Sequence, residues 1–191
     1  MAKQQSKAGK PVTRAKKAVA AAGGSSGRDT PGLYTLEVFL LSGPLTARFS
    51  KQNPEISRLI QMRGDQTLQD LHDAIFNAFG RFEQHFYEFQ FGKGPMDPKG
   101  LRYVLPEDFE TKSGEGTPPA GRVDQTILAS LDLKIGVAFG YWFDFGDDWW
   151  HQINVEAVDE GLPRGTYPKV ISQVGKNPPQ YAERDEEEGK D

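Results

Sequence analysis

The chain has no cysteine, and only three histidines, three methionines and three tryptophans among its 191 residues. Without cysteine there are no disulfides, no thiolate metal ligands and no cysteine nucleophile. No apolar run approaches the roughly 20 residues a membrane-spanning helix needs, and the opening Met1-Ala-Lys-Gln-Gln5 lacks the apolar core of a signal peptide. These absences predict one soluble, cytoplasmic domain with no membrane partner. Serine-based acyl transfer has little to start from, because no serine lies beside a motif histidine in sequence. The run Gly92-Lys-Gly-Pro95 lacks the Gly-Lys-Ser/Thr ending of a phosphate loop and reads as a turn.

Charge is present but unevenly spread. The net charge is -4, yet residues 1–28 carry seven Lys and Arg and no acid, which leaves about -11 for the rest. Residues 1–30 are Lys, Ala, Gly and Ser with almost nothing large and apolar, so they are expected to be a disordered basic tail. Residues 182–191, acidic after Asn177-Pro178-Pro179, are expected to be a second disordered tail, with a single domain over 31–181. A basic tail can touch nucleic acid weakly and nonspecifically, whereas the acidic remainder repels phosphate backbones.

Within the core, Tyr34–Leu41 and Ile56–Met62 have the β-branched and aromatic content of strands. Thr67 as N-cap with Asp70 three residues on, followed by Leu68, Leu71, His72, Ile75, Phe76 and Phe79 at helical spacing and closed by Gly80, predicts an amphipathic helix. His85, Tyr87, Phe89 and Phe91 alternate along a further strand. Gly92–Gly121 is a long excursion in which only Leu101–Leu105 can add a strand, and Asp124–Leu133 predicts a short helix. Gly136–Val158 reads as a hairpin around Gly146-Asp147-Asp148. Putting its two apolar rows on one side requires an odd loop, with Phe145 opposite Trp149 and Phe143 opposite His151. Trp142 and Trp150 then lie on the second face, where Tyr167–Val174 is expected to fold back over them. The alternative is an exposed aromatic surface for an unidentified protein partner.

Three strings in order, Thr67-Leu-Gln-Asp-Leu-His72-Asp-Ala-Ile75, Gly80-Arg-Phe-Glu-Gln-His85-Phe-Tyr-Glu-Phe89 and Phe143-Asp-Phe-Gly-Asp-Asp-Trp149-Trp-His151, resemble the plasmid pRiA4b Orf-three-like family. Pro54-Glu-Ile56-Ser-Arg58 is similar to its Pro-x-Ile-x-Arg element, and Tyr167-Pro-Lys-Val170 with Pro178-Pro179 to its C-terminal segment. The resemblance covers roughly Leu33–Tyr181. It departs at Arg81, where an aromatic often follows the glycine, and at Gln180-Tyr181. Members are often found on plasmids and beside insertion elements. The resemblance implies an α+β domain, a mixed or mainly antiparallel sheet packed on one main helix, and its element order is β-grasp-like with insertions. It implies no assigned activity.

The motif histidines His72, His85 and His151 each fall on an apolar face. They are candidates for an open three-histidine metal site, or for histidines hydrogen-bonded within a core. No His-x-His or His-x-x-x-His pre-assembles two ligands, so the second reading is taken and no metal or cofactor is assigned. Asp144, Asp147 and Asp148 could hold a divalent cation. Parity puts Asp144 and His151 on opposite faces, and aspartates at a hairpin tip usually bond their own backbone. His72, His85, Asp144, Gly146, Asp147, Trp149 and His151 are therefore expected to be motif residues with structural roles, and Trp142 and Trp150 a candidate partner surface. The resulting expectation is a non-catalytic cytosolic binding or adaptor domain. Its rivals are a metal-dependent hydrolase or nuclease using the motif His and Asp residues, and a DNA-associated accessory protein of a mobile element.

Overall fold

A computed structural model describes residues 32–110, 118–161 and 164–181; the two expected tails, 1–30 and 182–191, lie outside them. Among the described residues eight strands form one mixed sheet: β1 (Leu33–Ser42), β2 (Ser57–Arg63), β3 (Tyr87–Phe91), β4 (Leu101–Val104), β5 (Gly121–Arg122), β6 (Ala138–Phe143), β7 (Trp149–Asp159) and β8 (Lys169–Val174). Their order is β5-β4-β3-β6-β7-β1-β2-β8, antiparallel except where β4 meets β5. Three short helices join them among the described residues, α1 (Ala47–Gln52), α2 (Leu68–Ala78) and α3 (Pro106–Glu110), with a 3₁₀ turn at Leu128–Leu131.

This corrects the expected α+β, β-grasp-like arrangement of a sheet on one main helix. The fold is mainly β, because among the described residues one continuous eight-stranded sheet dominates and the longest helix has only 11 residues. The strands that enlarge the sheet are those with the weakest sequence signal. β5 has two residues, and all six residues of β8 are exposed, so neither shows an alternating buried row.

The core lies between one face of the sheet and α2. Leu36 and Val38 of β1, Ile60 and Met62 of β2, Phe89 of β3, Phe139, Tyr141 and Phe143 of β6, and Trp149, Ile153 and Val155 of β7 are buried against Leu68, Leu71, Ile75 and Phe79. The start of α2 is fixed by a reciprocal cap. The Thr67 hydroxyl accepts from the Asp70 amide at 3.1 Å and the Asp70 carboxylate accepts from the Thr67 amide at 2.7 Å. Its end is fixed by Gly80, whose φ of +67° suits glycine and where a Cβ would meet the Asn177 amide at 2.6 Å.

The hairpin pairs Phe143 with Trp149, Trp142 with Trp150 and Tyr141 with His151, two residues away from the expected register. The loop is odd, as the apolar rows require, but β6 ends at Phe143 because Asp144 turns into the left-handed region at φ 55°. Its carboxylate accepts from the Gly146 and Asp147 amides, which makes that conformation tolerable for an aspartate. Phe145 is left in the loop, partly exposed.

The expected cover of the second-face tryptophans is also corrected. Tyr167–Val174 does not fold over them, since Lys169–Val174 is β8, paired with β2 at the sheet edge and separated from β7 by β1 and β2. Trp150 is buried with the Trp142 indole stacked on it at 4.7 Å. Beside them, Pro95 presses on Gly140 so closely that a Cβ there would lie 1.8 Å from its carbonyl oxygen. Among the described residues no helix is long and apolar enough to cross a membrane.

Candidate functional site

Helix α2 presents His72 from its apolar face, one turn after Leu68 and one before Ile75 and Phe76. The ring lies flat on Tyr87, with centroids 3.7 Å apart, and both nitrogens are engaged. Nε2 is 3.1 Å from the Gln84 side-chain oxygen and Nδ1 is 2.7 Å from the Tyr141 hydroxyl. An amide oxygen only accepts, so the ring proton sits on Nε2 and Tyr141 donates to Nδ1. Burial lowers the His72 pKa to about 4, the Gln84 bond opposing it, and the imidazole is neutral at physiological pH.

His85 sits in the segment before β3, which begins only at Tyr87, so it is not on the strand where alternation alone would put it. Its Nε2 is 3.1 Å from the Tyr181 hydroxyl and 3.5 Å from the Asp144 carboxylate. Tyr181 in turn donates to Glu83, and that bond pushes the Tyr181 pKa up to about 12. The left-handed turn at Asp144 thus aims its carboxylate at His85 and away from His151.

His72 and His85 share one pocket of about 560 Å³, between α2, the 84–87 segment and the chain entering α3. Its wall mixes the amides of Gln69 and Gln84, the carboxylates of Asp73 and Glu107, and the rings of Phe86 and Tyr87. Burial, and then the neighbouring Asp70, raise the Asp73 pKa. Among the described residues the wall contains no serine, threonine, cysteine or lysine.

His151 is not part of that pocket. It lies in the core, 5.0 Å from the Phe79 ring and 5.2 Å from Tyr141, so the three histidines do not converge. Among the described residues no group of three His, Asp or Glu is placed to hold a metal ion. Burial, and then Arg81, depress the His151 pKa to about 3, with the backbone of Tyr141 and Trp149 opposing part of the shift.

Two arginines complete this end of the molecule, and neither was singled out as a site residue by the sequence. Arg58 is fully buried and bonds the Ala78, Ser57 and Val174 carbonyls and the Asn177 side chain, tying β2 to the end of α2, to β8 and to the C-terminal segment. Its side of the Pro-x-Ile-x-Arg string was the available signal. Arg81 is buried over the Trp149 ring, 3.5 Å from its centroid. An arginine following Gly80, where α2 closes, was the one clue to it. Gly146 and Asp147 serve the Asp144 turn. Around these groups Phe82, Phe86, Phe145 and Tyr181 are exposed, and Trp142 packs 4.3 Å from Phe145.

A family model described as Plasmid pRiA4b ORF-3-like protein matches residues 44–183, which include Arg58, α2, the 80–89 segment and the hairpin. The chain belongs to this family. It is 27% identical over 128 residues to the uncharacterized protein y4hQ of Sinorhizobium fredii, a match that spans 66% of this chain and 59% of that relative's length. The crystal structure of a protein of unknown function, MM3350 from Methanosarcina mazei Go1, shares the fold, with a TM-score of 0.54 at 21% identity over 75% of this chain and 70% of that one.

Proposed function

We propose that this member of the family is a non-catalytic binding or adaptor domain, and that its recognition site is the pocket walled by His72, Gln84, His85 and Tyr87. The observation that supports this most is convergence. Two motif histidines, His72 on α2 and His85 beside Gln84 in the 84–87 segment, come to a single pocket whose wall, among the described residues, has no serine, threonine, cysteine or lysine. His72 is held neutral with both nitrogens committed, which suits a rigid wall better than a proton shuttle. The mixed wall favours a small ligand, or one side chain of a partner, with a flat apolar body and hydrogen-bond donors. Exposed Phe86 and Phe145 beside it enlarge the surface that a partner would contact.

A fragment library titrated into isotope-labelled protein tests this by amide chemical-shift mapping. Binders should move the amides of Gln69, Gln84, Phe86 and Tyr87, and Gln69→Trp, which fills the exposed mouth, should abolish those shifts. Fragments that cluster elsewhere, or bind Gln69→Trp unchanged, would contradict the assignment.

A further inference from the structure

Arg81 is 7% exposed, and among the described residues none of its three nitrogens has a hydrogen-bond partner. The Trp149 indole nitrogen beneath it is likewise buried and unpartnered, as are both nitrogens of His151, two residues along the same face of β7. Asp144 and Asp147 are close enough to act on the guanidinium electrostatically, but neither carboxylate bonds to it. A guanidinium and an indole N–H can only donate, so these groups present donors and a positive charge with no acceptor to meet them. Sealing a cation in that condition is costly unless something else neutralises it.

The geometry defines what that would be. With its central carbon 3.5 Å from the ring centroid, the guanidinium must lie flat on the indole, since an upright one would drive its nitrogens into the ring. Donors of both groups then project from the edges of two stacked plates, where one anion with two or more oxygens can accept from both. We propose that the Arg81–Trp149 stack is a binding site for an oxyanion, either inorganic phosphate or the carboxylate of a larger ligand. The site is separate from the pocket of His72 and His85 and does not depend on it. Entry requires neighbouring chain to move. The adjoining segment is 177–181, fastened to the Arg81 loop through Gln180, which accepts from the Phe82 and Glu83 amides and donates to the Glu83 carbonyl.

Thermal unfolding of the full chain in phosphate, acetate or chloride at matched ionic strength tests this, beside Arg81→Met and Trp149→Phe variants. Above its Kd, each tenfold rise in the bound anion should raise the Tm by about 3 to 5 °C in the wild type. The shift should vanish in Arg81→Met and start at several-fold higher concentration in Trp149→Phe, which loses one donor. A response to phosphate alone or acetate alone identifies the source, and either supports the site. Should Arg81→Met fail to fold, Trp149→Phe decides. No response beyond chloride, or an unaltered response in Trp149→Phe, would overturn the proposal.

Discussion

Arg58 and Arg81 are both buried and each lies over an aromatic ring, yet their surroundings are opposite. Arg58 packs 4.8 Å from Phe79 and every one of its nitrogens donates to an oxygen from β2, α2, β8 or Asn177. Arg81 packs 3.5 Å from Trp149 and its nitrogens donate to nothing among the described residues. The histidines repeat the contrast, with His72 bonded at both nitrogens and His151 at neither. One set of buried polar groups is therefore closed on itself, and a neighbouring set carries unmet hydrogen-bonding capacity. Buried polar groups that are fully satisfied specify a fold. Those left unsatisfied cost stability, and such a cost is retained where a group serves something other than folding.

The largest effect should come from the satisfied set. Arg58→Met strands the Ala78, Val174 and Ser57 carbonyls and unties β8, and should cost about 3 to 5 kcal/mol in urea unfolding. A loss below 1 kcal/mol would mean that these bonds do not hold the sheet edge to α2. The apolar face of α2 provides the scale for that comparison. Leu71→Ala or Ile75→Ala, at positions 0% and 1% exposed, should cost about 2 to 5 kcal/mol by the same measurement.

Acid should erode both sets at once. The unfolded chain has histidine pKa values near 6.5, whereas His72 and His151 are depressed to about 4 and about 3. Their contribution is present above pH 6.5. As pH falls the unfolded state takes up protons that the folded state refuses, so stability should drop by up to about 1.4 kcal/mol per pH unit for each histidine. The loss ends near pH 4 for His72 and near pH 3 for His151. His72→Gln should flatten that slope by about half, and an unchanged slope would show that the depressed values are not what drives it.

Much of the local structure was legible. Thr67, Asp70 and Gly80 delimit α2, and the alternating rows predict the hairpin, because caps and periodicity are local signals. The size of the sheet was not, since β8 is an edge strand exposed on both faces and its partner is found only through tertiary pairing with β2. The register slipped by two because Asp144 leaves the strand conformation, and no alternation rule announces a left-handed residue. At the site, three histidines in one sequence invited a common role, but a helix, a loop and a strand place them independently. His72 and His85 meet at the pocket, and His151 lies in the core. Arg81 stood out only as a departure from the family string and not as a site residue, because a charged residue beside a helix end is ordinarily a solvated one.

The smallest expected effect is the most telling. Arg81→Met replaces an unpaired buried cation with an apolar chain of similar length, so in buffer free of phosphate and carboxylates its urea-unfolding stability should lie within about 1 kcal/mol of wild type or above it. If Arg81→Met instead loses the several kcal/mol expected of Arg58→Met, Arg81 is a paired structural residue, and no unmet binding capacity exists at this end of the sheet.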